Sequence, residues 1–200
     1  MEKGKFRRGL LFLALSSEYL HLVKNISSEN IKSGNPWMVV GEGEFEQKRY
    51  DELTKWSDFN IVRPVFFNFY HGIELLLKGL ILFNEDYDLN HVITKIFGDF
   101  KKQYCDEKEI ILLLEKYLIP ENLPKPLAAC LKENNLDIDK LYEFFRYPFI
   151  KKSEKENIYG SLRFKEQEGL ELFKALVVDT DVLLKEAVKI FRKIENKKIN

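Results

Sequence analysis

The twenty residues RPVFFNFYHGIELLLKGLIL, Arg63 to Leu82, restrict the fold more than any other stretch of the chain. The run is strongly apolar, yet it carries His71, Glu74 and Lys78 at three- and four-residue spacing, the period of a helix rather than of a strand. Turned at about 100° per residue, Val65, Phe66, Phe69, Ile73, Leu76, Leu77 and Leu80 cover more than half the circumference. Such a helix must lie centrally, packed by others. His71, Glu74 and Lys78 share a narrow sector on the remaining side, with Asn68 at its edge. Glu74 precedes Lys78 by four residues, the favoured order for a helical ion pair. The stripe is either a solvated face or a satisfied polar network, and the residues alone leave both readings open.

The rest of the chain has the same period, which predicts an all-α protein. A first helix is predicted over about Lys5 to Ile31, ended by the turn signal SGNP. A long connection with one short helix follows. The central helix is predicted to begin at Arg63-Pro64, proline being tolerated in a first turn, and to run to about Phe83. Three shorter helices are expected over His91 to Gln103, Asp106 to Leu118 and Leu127 to Asn134. A further helix, capped by Asp137 or Asp139, should stop at Phe145 ahead of Pro148. The last helix is predicted over Lys165 to Ile194, with Leu170, Phe173, Leu176, Val177, Leu184, Ala187, Val188, Phe191 and Ile194 as one stripe. At 200 residues, one domain is enough to hold this core.

Charge excludes some functions. Lys plus Arg equals Asp plus Glu at 32 each, so attraction to nucleic acid or an anionic membrane has to be local. The N-terminal apolar run Leu10 to Leu15 is short and continues as an amphipathic pattern, unlike a signal peptide. No apolar run is both long and uncharged enough to span a bilayer. Cys105 and Cys130 lack CxxC spacing and read as reduced, helical core thiols of a cytoplasmic protein. A nucleophile elbow, a phosphate-binding glycine loop and a basic recognition helix are all missing.

Two constellations remain. Glu18 and His21 on the first helix, with His71 and Glu74 on the central one, have the spacing of helical-bundle metal ligands, but the usual second Glu-x-x-His is missing and no metal is assigned. The segment FFRYPFIKKSEKENIYGSLRFK sets Arg146, Lys151, Lys152, Lys155, Arg163 and Lys165 among aromatic residues. Basic side chains neutralise phosphates and aromatic faces stack on unpaired bases, so Arg146, Tyr147, Lys151, Lys152 and Arg163 are the ligand-binding candidates. The competing reading is a charged loop that only keeps itself in water.

The strings RPVFFNFYHGIELLLKGLIL, NHVITKIF and FFRYP resemble a pattern in bacterial HEPN-type proteins (higher eukaryotes and prokaryotes nucleotide-binding domain). The matching residues are His71, Glu74, Lys78, His91, Arg146, Tyr147 and Pro148. The resemblance covers about residues 61 to 195. It implies a single antiparallel helical bundle with long first, central and last helices, frequently dimeric, and found among ribonucleases, toxins and phage-defence proteins. It also implies that His71, Glu74, Lys78, His91 and Arg146 form one polar cluster. Active members cut RNA with an Arg and a His four to six residues apart on a late helix. None of the three histidines here, His21, His71 and His91, follows an Arg at that spacing, so no catalytic residue carries over. The expected function is an RNA- or nucleotide-binding or interaction module, without strong catalysis and without a cofactor. Its expected partners are RNA or a nucleotide, a second copy of the chain, or an antitoxin-like protein, and not a membrane. The class set against it is a divergent metal-independent ribonuclease using Arg146 with His91 or His71.

Overall fold

The computed structural model describes residues 3–37, 47–85, 87, 91–149 and 156–199. Its elements are helices α1 (Lys3–Ser33), α2 (Gln47–Thr54), α3 (Asp58–Ile81), α4 (Ile93–Gln103), α5 (Lys108–Leu118), α6 (Lys125–Asn134), α7 (Leu141–Arg146) and α8 (Glu166–Ile199), with two short 3₁₀ turns. Among the described residues there is no β-strand, only an isolated bridge between Phe149 and Glu156. The protein is all-α, as the periodicity requires.

The central helix is indeed α3. Seventeen of its 24 residues are buried, from Asp58 to Ile81. It starts five residues before the expected Arg63-Pro64, so Pro64 lies inside the helix and not in its first turn. The reason is a tertiary cap: Asn35 Oδ1 accepts the backbone N–H of Asp58 at 2.7 Å and begins the helix upstream of the proline. Asn35 can do this because α1 ends in a left-handed stop. Gly34 has φ 75°, Asn35 has φ 54°, and the Asn35 amide bonds back to the Asn30 carbonyl at 3.2 Å. That pattern closes the helix at the SGNP signal.

Contacts between α1 and α3 run antiparallel, from Gly9 against Gly79 to Asn35 against Asp58. Their approach is close because the facing residues are small. A Cβ on Gly9 would stand 2.9 Å from the Gly79 carbonyl, and one on Gly72 would stand 2.9 Å from Leu20. Ser16 Oγ donates to the Gly72 carbonyl at 2.7 Å across the same seam. Helix α8 also runs antiparallel to α1, through Phe6 on Phe191 and a Lys24–Asp181 ion pair at 2.6 Å. Lys116 and Tyr117 of α5 both reach Asp179 of α8, with Tyr117 donating at 2.5 Å. The α8 stripe differs in part from expectation. Leu172, Leu183 and Ile190 join Phe173, Leu176 and Ala187 in the core, whereas Val188 is exposed.

Two further expectations are corrected. Cys105 is exposed in the turn between α4 and α5, and Cys130 alone is a buried thiol. Asp139 caps α4 rather than its own helix, taking Thr94 N at 2.9 Å and Thr94 Oγ1 at 2.7 Å, while Asp137 caps the 3₁₀ turn before α7 through Lys140 N at 3.0 Å. No described helix is long and apolar enough to cross a membrane.

Candidate functional site

Arg63, Phe67, His71, Glu74 and Lys78 follow one another along α3 at four- and three-residue steps, and they form a continuous ridge. At its C-terminal end the stripe is a buried network. Lys78 Nζ donates to Glu74 Oε1 at 2.5 Å, with the two side chains 2% and 5% exposed. His91, reaching in from ahead of α4, places Nδ1 2.9 Å from the same oxygen while its own side chain stays 78% exposed. The solvated-stripe reading therefore fails, since α1 and the chain before α4 cover this sector. Of His71, Glu74, Lys78, His91 and Arg146, the structure brings the first four together around the Glu74 carboxylate.

His71 sits between the network and the N-terminal end of the ridge. It is half-buried, with the Tyr19 ring edge-on at 4.7 Å and Phe67 stacked at 6.0 Å. Its Nδ1 is 3.9 Å from Glu74 Oε2. Burial lowers its pKa below the usual imidazole value. Glu74 works in the opposite sense, while Lys78, His91 and Arg146 add to the lowering. Because folding resists the proton that the unfolded His71 would take up below about pH 6.5, stability must rise with pH through that region. Unfolding free energy should therefore fall from pH 7.5 to pH 5.5, and His71→Gln should flatten this part of the profile in denaturant titrations. A profile unchanged by the substitution would remove His71 as its source.

At the N-terminal end of the ridge a groove of about 350 Å³ is lined by Asn60, Arg63, Pro64, Phe67, Phe145, Arg146 and Arg163. Its three guanidinium groups come from three separate segments. Arg63 is on α3, Arg146 ends α7, and Arg163 follows the loop that returns over α7. That loop is pinned by Asn157 Nδ2, which donates to the Phe144 and Tyr147 carbonyls at 3.0 and 2.7 Å, and by Tyr159 Oη, which donates to Phe144 at 2.8 Å. The buried Tyr159 ring then carries both Arg63 and Arg163, with guanidinium carbons 4.9 and 5.1 Å from its centroid. Arg163 also lies 4.9 Å from the Phe59 ring, and Arg146 lies 5.2 Å from that of Tyr147. Burial, and after it the charge of Arg63, pushes the Arg163 pKa below the ordinary guanidinium value.

Among the described residues no carboxylate lines the groove. Asp58, whose charge favours protonated Arg163, has both carboxylate oxygens hydrogen-bonded to other groups. Oδ1 accepts Phe164 N at 2.9 Å, and Oδ2 accepts Lys165 N at 2.9 Å and Asn35 Nδ2 at 3.0 Å. These bonds fix the backbone on either side of Phe164, which has φ 58° and stacks on Phe59 at 5.0 Å. They thereby fix the direction of Arg163.

Of the expected ligand-binding residues, Arg146 and Arg163 line one groove, and Tyr147 supports it from beside Arg146. Lys151 and Lys152 lie outside the described residues. Arg63 was not among the candidates, because the Arg63-Pro64 pair reads as a helix start. Its position four residues before Phe67 and eight before His71 is the signal that extends the stripe to it. Among the described residues no three of His, Cys, Asp and Glu gather as metal ligands would. The Glu18, His21, His71 and Glu74 set does not assemble; His21 turns its Nδ1 to the Ser17 carbonyl at 2.7 Å.

Fold and site together define an all-α protein with a cationic, aromatic-walled groove beside a buried His–Glu–Lys network. Compared with known proteins, the chain matches no family model, no curated protein and no solved structure.

Proposed function

We propose that this chain is an HEPN-like RNA- or nucleotide-binding module of a bacterial defence, toxin or regulatory system, and that the groove of Arg63, Arg146 and Arg163 is its binding surface. One observation carries the reading: three guanidinium groups from distant segments converge on a groove that has no carboxylate among its described lining residues. Like charges are held together at a cost unless an anion joins them, and the planar guanidinium fork matches phosphate oxygens. The aromatic walls add a surface on which unpaired bases can stack. Since net charge is zero, the local concentration of positive charge is what selects the ligand.

Binding to a single-stranded RNA oligonucleotide in EDTA tests this. Three neutralised phosphates give a salt slope near −2, so affinity should fall about twentyfold for a fourfold rise in salt. Arg146→Ala should weaken binding and make the slope shallower by about 0.7. The RNA should be recovered intact. A binding isotherm that ignores both salt and Arg146→Ala would remove the groove as the RNA site. Phe67, which stacks on His71 and lines the groove with Arg146, brings these two residues to neighbouring positions and supports the ribonuclease as the second reading. Cleavage in EDTA that is lost in folded Arg146→Ala and His71→Ala variants would establish it over the binding module.

A further inference from the structure

The groove is more selective than a general phosphate-binding strip, and an inference about its ligand rests on the binding function proposed above. We propose that it recognises a phosphomonoester, the terminal phosphate of a nucleotide or of an RNA end, in preference to the diester of an RNA interior.

Two of the arginines are held by aromatic faces. Among the described residues neither Arg63 nor Arg163 forms an ion pair, and both keep their Nε atoms enclosed without a hydrogen-bond partner. Their contacts are ring faces: Tyr159 for Arg63, and Tyr159 and Phe59 for Arg163. Ring faces orient a guanidinium without neutralising it. The Asp58 carboxylate, held by two backbone amides and Asn35, favours the charged form of Arg163 but does not offset what burial and then the like charge of Arg63 do to it. What is missing is compact negative charge.

A diester linkage brings one charge and two non-bridging oxygens. A phosphomonoester brings close to two charges near neutral pH and three terminal oxygens. Arg63 and Arg163, arriving from α3 and from the loop before α8 and held together on the Tyr159 ring, set two guanidinium forks on one groove, and a doubly charged group offsets them better than a singly charged one. A surface that follows an RNA backbone instead spreads its cations along a path, with one phosphate for each. Here the cations are gathered at one place. Pro64, Phe67 and Phe145 leave an apolar wall beside them for the sugar and base that carry the phosphate.

The test compares one short RNA sequence in three forms, with a 5′-phosphate, with a 3′-phosphate and with hydroxyls at both ends, by fluorescence anisotropy at neutral pH, fixed salt and in EDTA. At least one monoester form should bind about tenfold or more tighter than the hydroxyl form, the size expected of added charge-assisted hydrogen bonds. Which of the two binds tighter identifies the end that is read. Adenosine monophosphate should displace the tighter RNA, and adenosine should not. Arg63→Gln and Arg163→Gln, each checked for folding by circular dichroism, should reduce the monoester form to the affinity of the hydroxyl form. Arg163→Lys keeps the charge but loses the fork, and it should retain only part of the preference. Equal binding of all three RNAs would overturn the monoester preference while leaving the binding module in place. Binding of none would overturn both.

Discussion

Glu74→Ala will lower the unfolding free energy by about 3–5 kcal/mol, the cost of leaving one partner of a buried ion pair without the other. Lys78 is 2% exposed along its whole side chain, and its Nζ has Glu74 Oε1 at 2.5 Å. Helix α1 closes over this part of α3 so tightly that Gly9, Gly72 and Gly79 have no room for a Cβ without displacing a neighbour. Removing the carboxylate leaves an ammonium group that is 2% exposed without the partner that offsets its burial. Denaturant unfolding at constant m-value measures the loss, and a change under about 1 kcal/mol would mean that the pair is solvated in the native state. Two companions give the result its meaning. Glu74→Leu combined with Lys78→Met removes both charges and should restore stability to the native level or above it. His91→Ala should cost under about 1 kcal/mol, because its side chain is 78% exposed although it touches the same carboxylate oxygen.

The contrast between His91 and Lys78 shows where sequence reasoning stops. Helical spacing places His71, Glu74 and Lys78 in one sector, and that part follows from geometry alone. Whether the sector meets water depends on what packs over it, and the covering groups come from Tyr19, fifty residues earlier, and from the glycines that let α1 approach. No local pattern encodes that distance. Arg63 shows a different failure. The proline beside it argues for a helix start, but the true start is set by Asn35, across the α1 stop, so a valid local rule is overridden by a tertiary hydrogen bond. Arg146 and Arg163 were legible as chemistry, since basic residues among aromatics suit phosphates and bases. Their convergence with Arg63 was not, because it depends on the Tyr159 ring and on loop carbonyls captured by Asn157. Cys105 was misplaced for a simpler reason: the helices expected to Gln103 and from Asp106 leave so short a gap that it reads as helical, whereas α5 begins only at Lys108.

Asp58→Ala should have the second large effect, and it should couple stability to binding. The carboxylate is completely buried and accepts Phe164 N, Lys165 N and Asn35 Nδ2 within 3.0 Å. Alanine would strand all three donors, at about 3–5 kcal/mol in total after relaxation, given 1–3 kcal/mol for each unsatisfied buried group. The start of α8 has no slack to close the gap, since a Cβ on Gly169 would already meet Asp58 Oδ2 at 2.7 Å. Phe164 holds a left-handed φ of 58° that a bulky residue keeps only when its surroundings impose it, and Asp58 is the group that imposes it. Without that clamp, the backbone carrying Arg163 relaxes and the guanidinium leaves the Phe59 and Tyr159 rings. RNA affinity should therefore fall in Asp58→Ala even under conditions where the variant remains folded, whereas Glu74→Ala, equally destabilised, should keep most of its affinity while folded. Asp58→Asn, which preserves the shape but turns an amide toward one of the backbone donors, should lie between Asp58→Ala and the native protein in both measurements. Equal affinities for folded Asp58→Ala and the native protein would show that Arg163 needs no help from this carboxylate, and the groove would then owe its geometry to the Tyr159 loop alone.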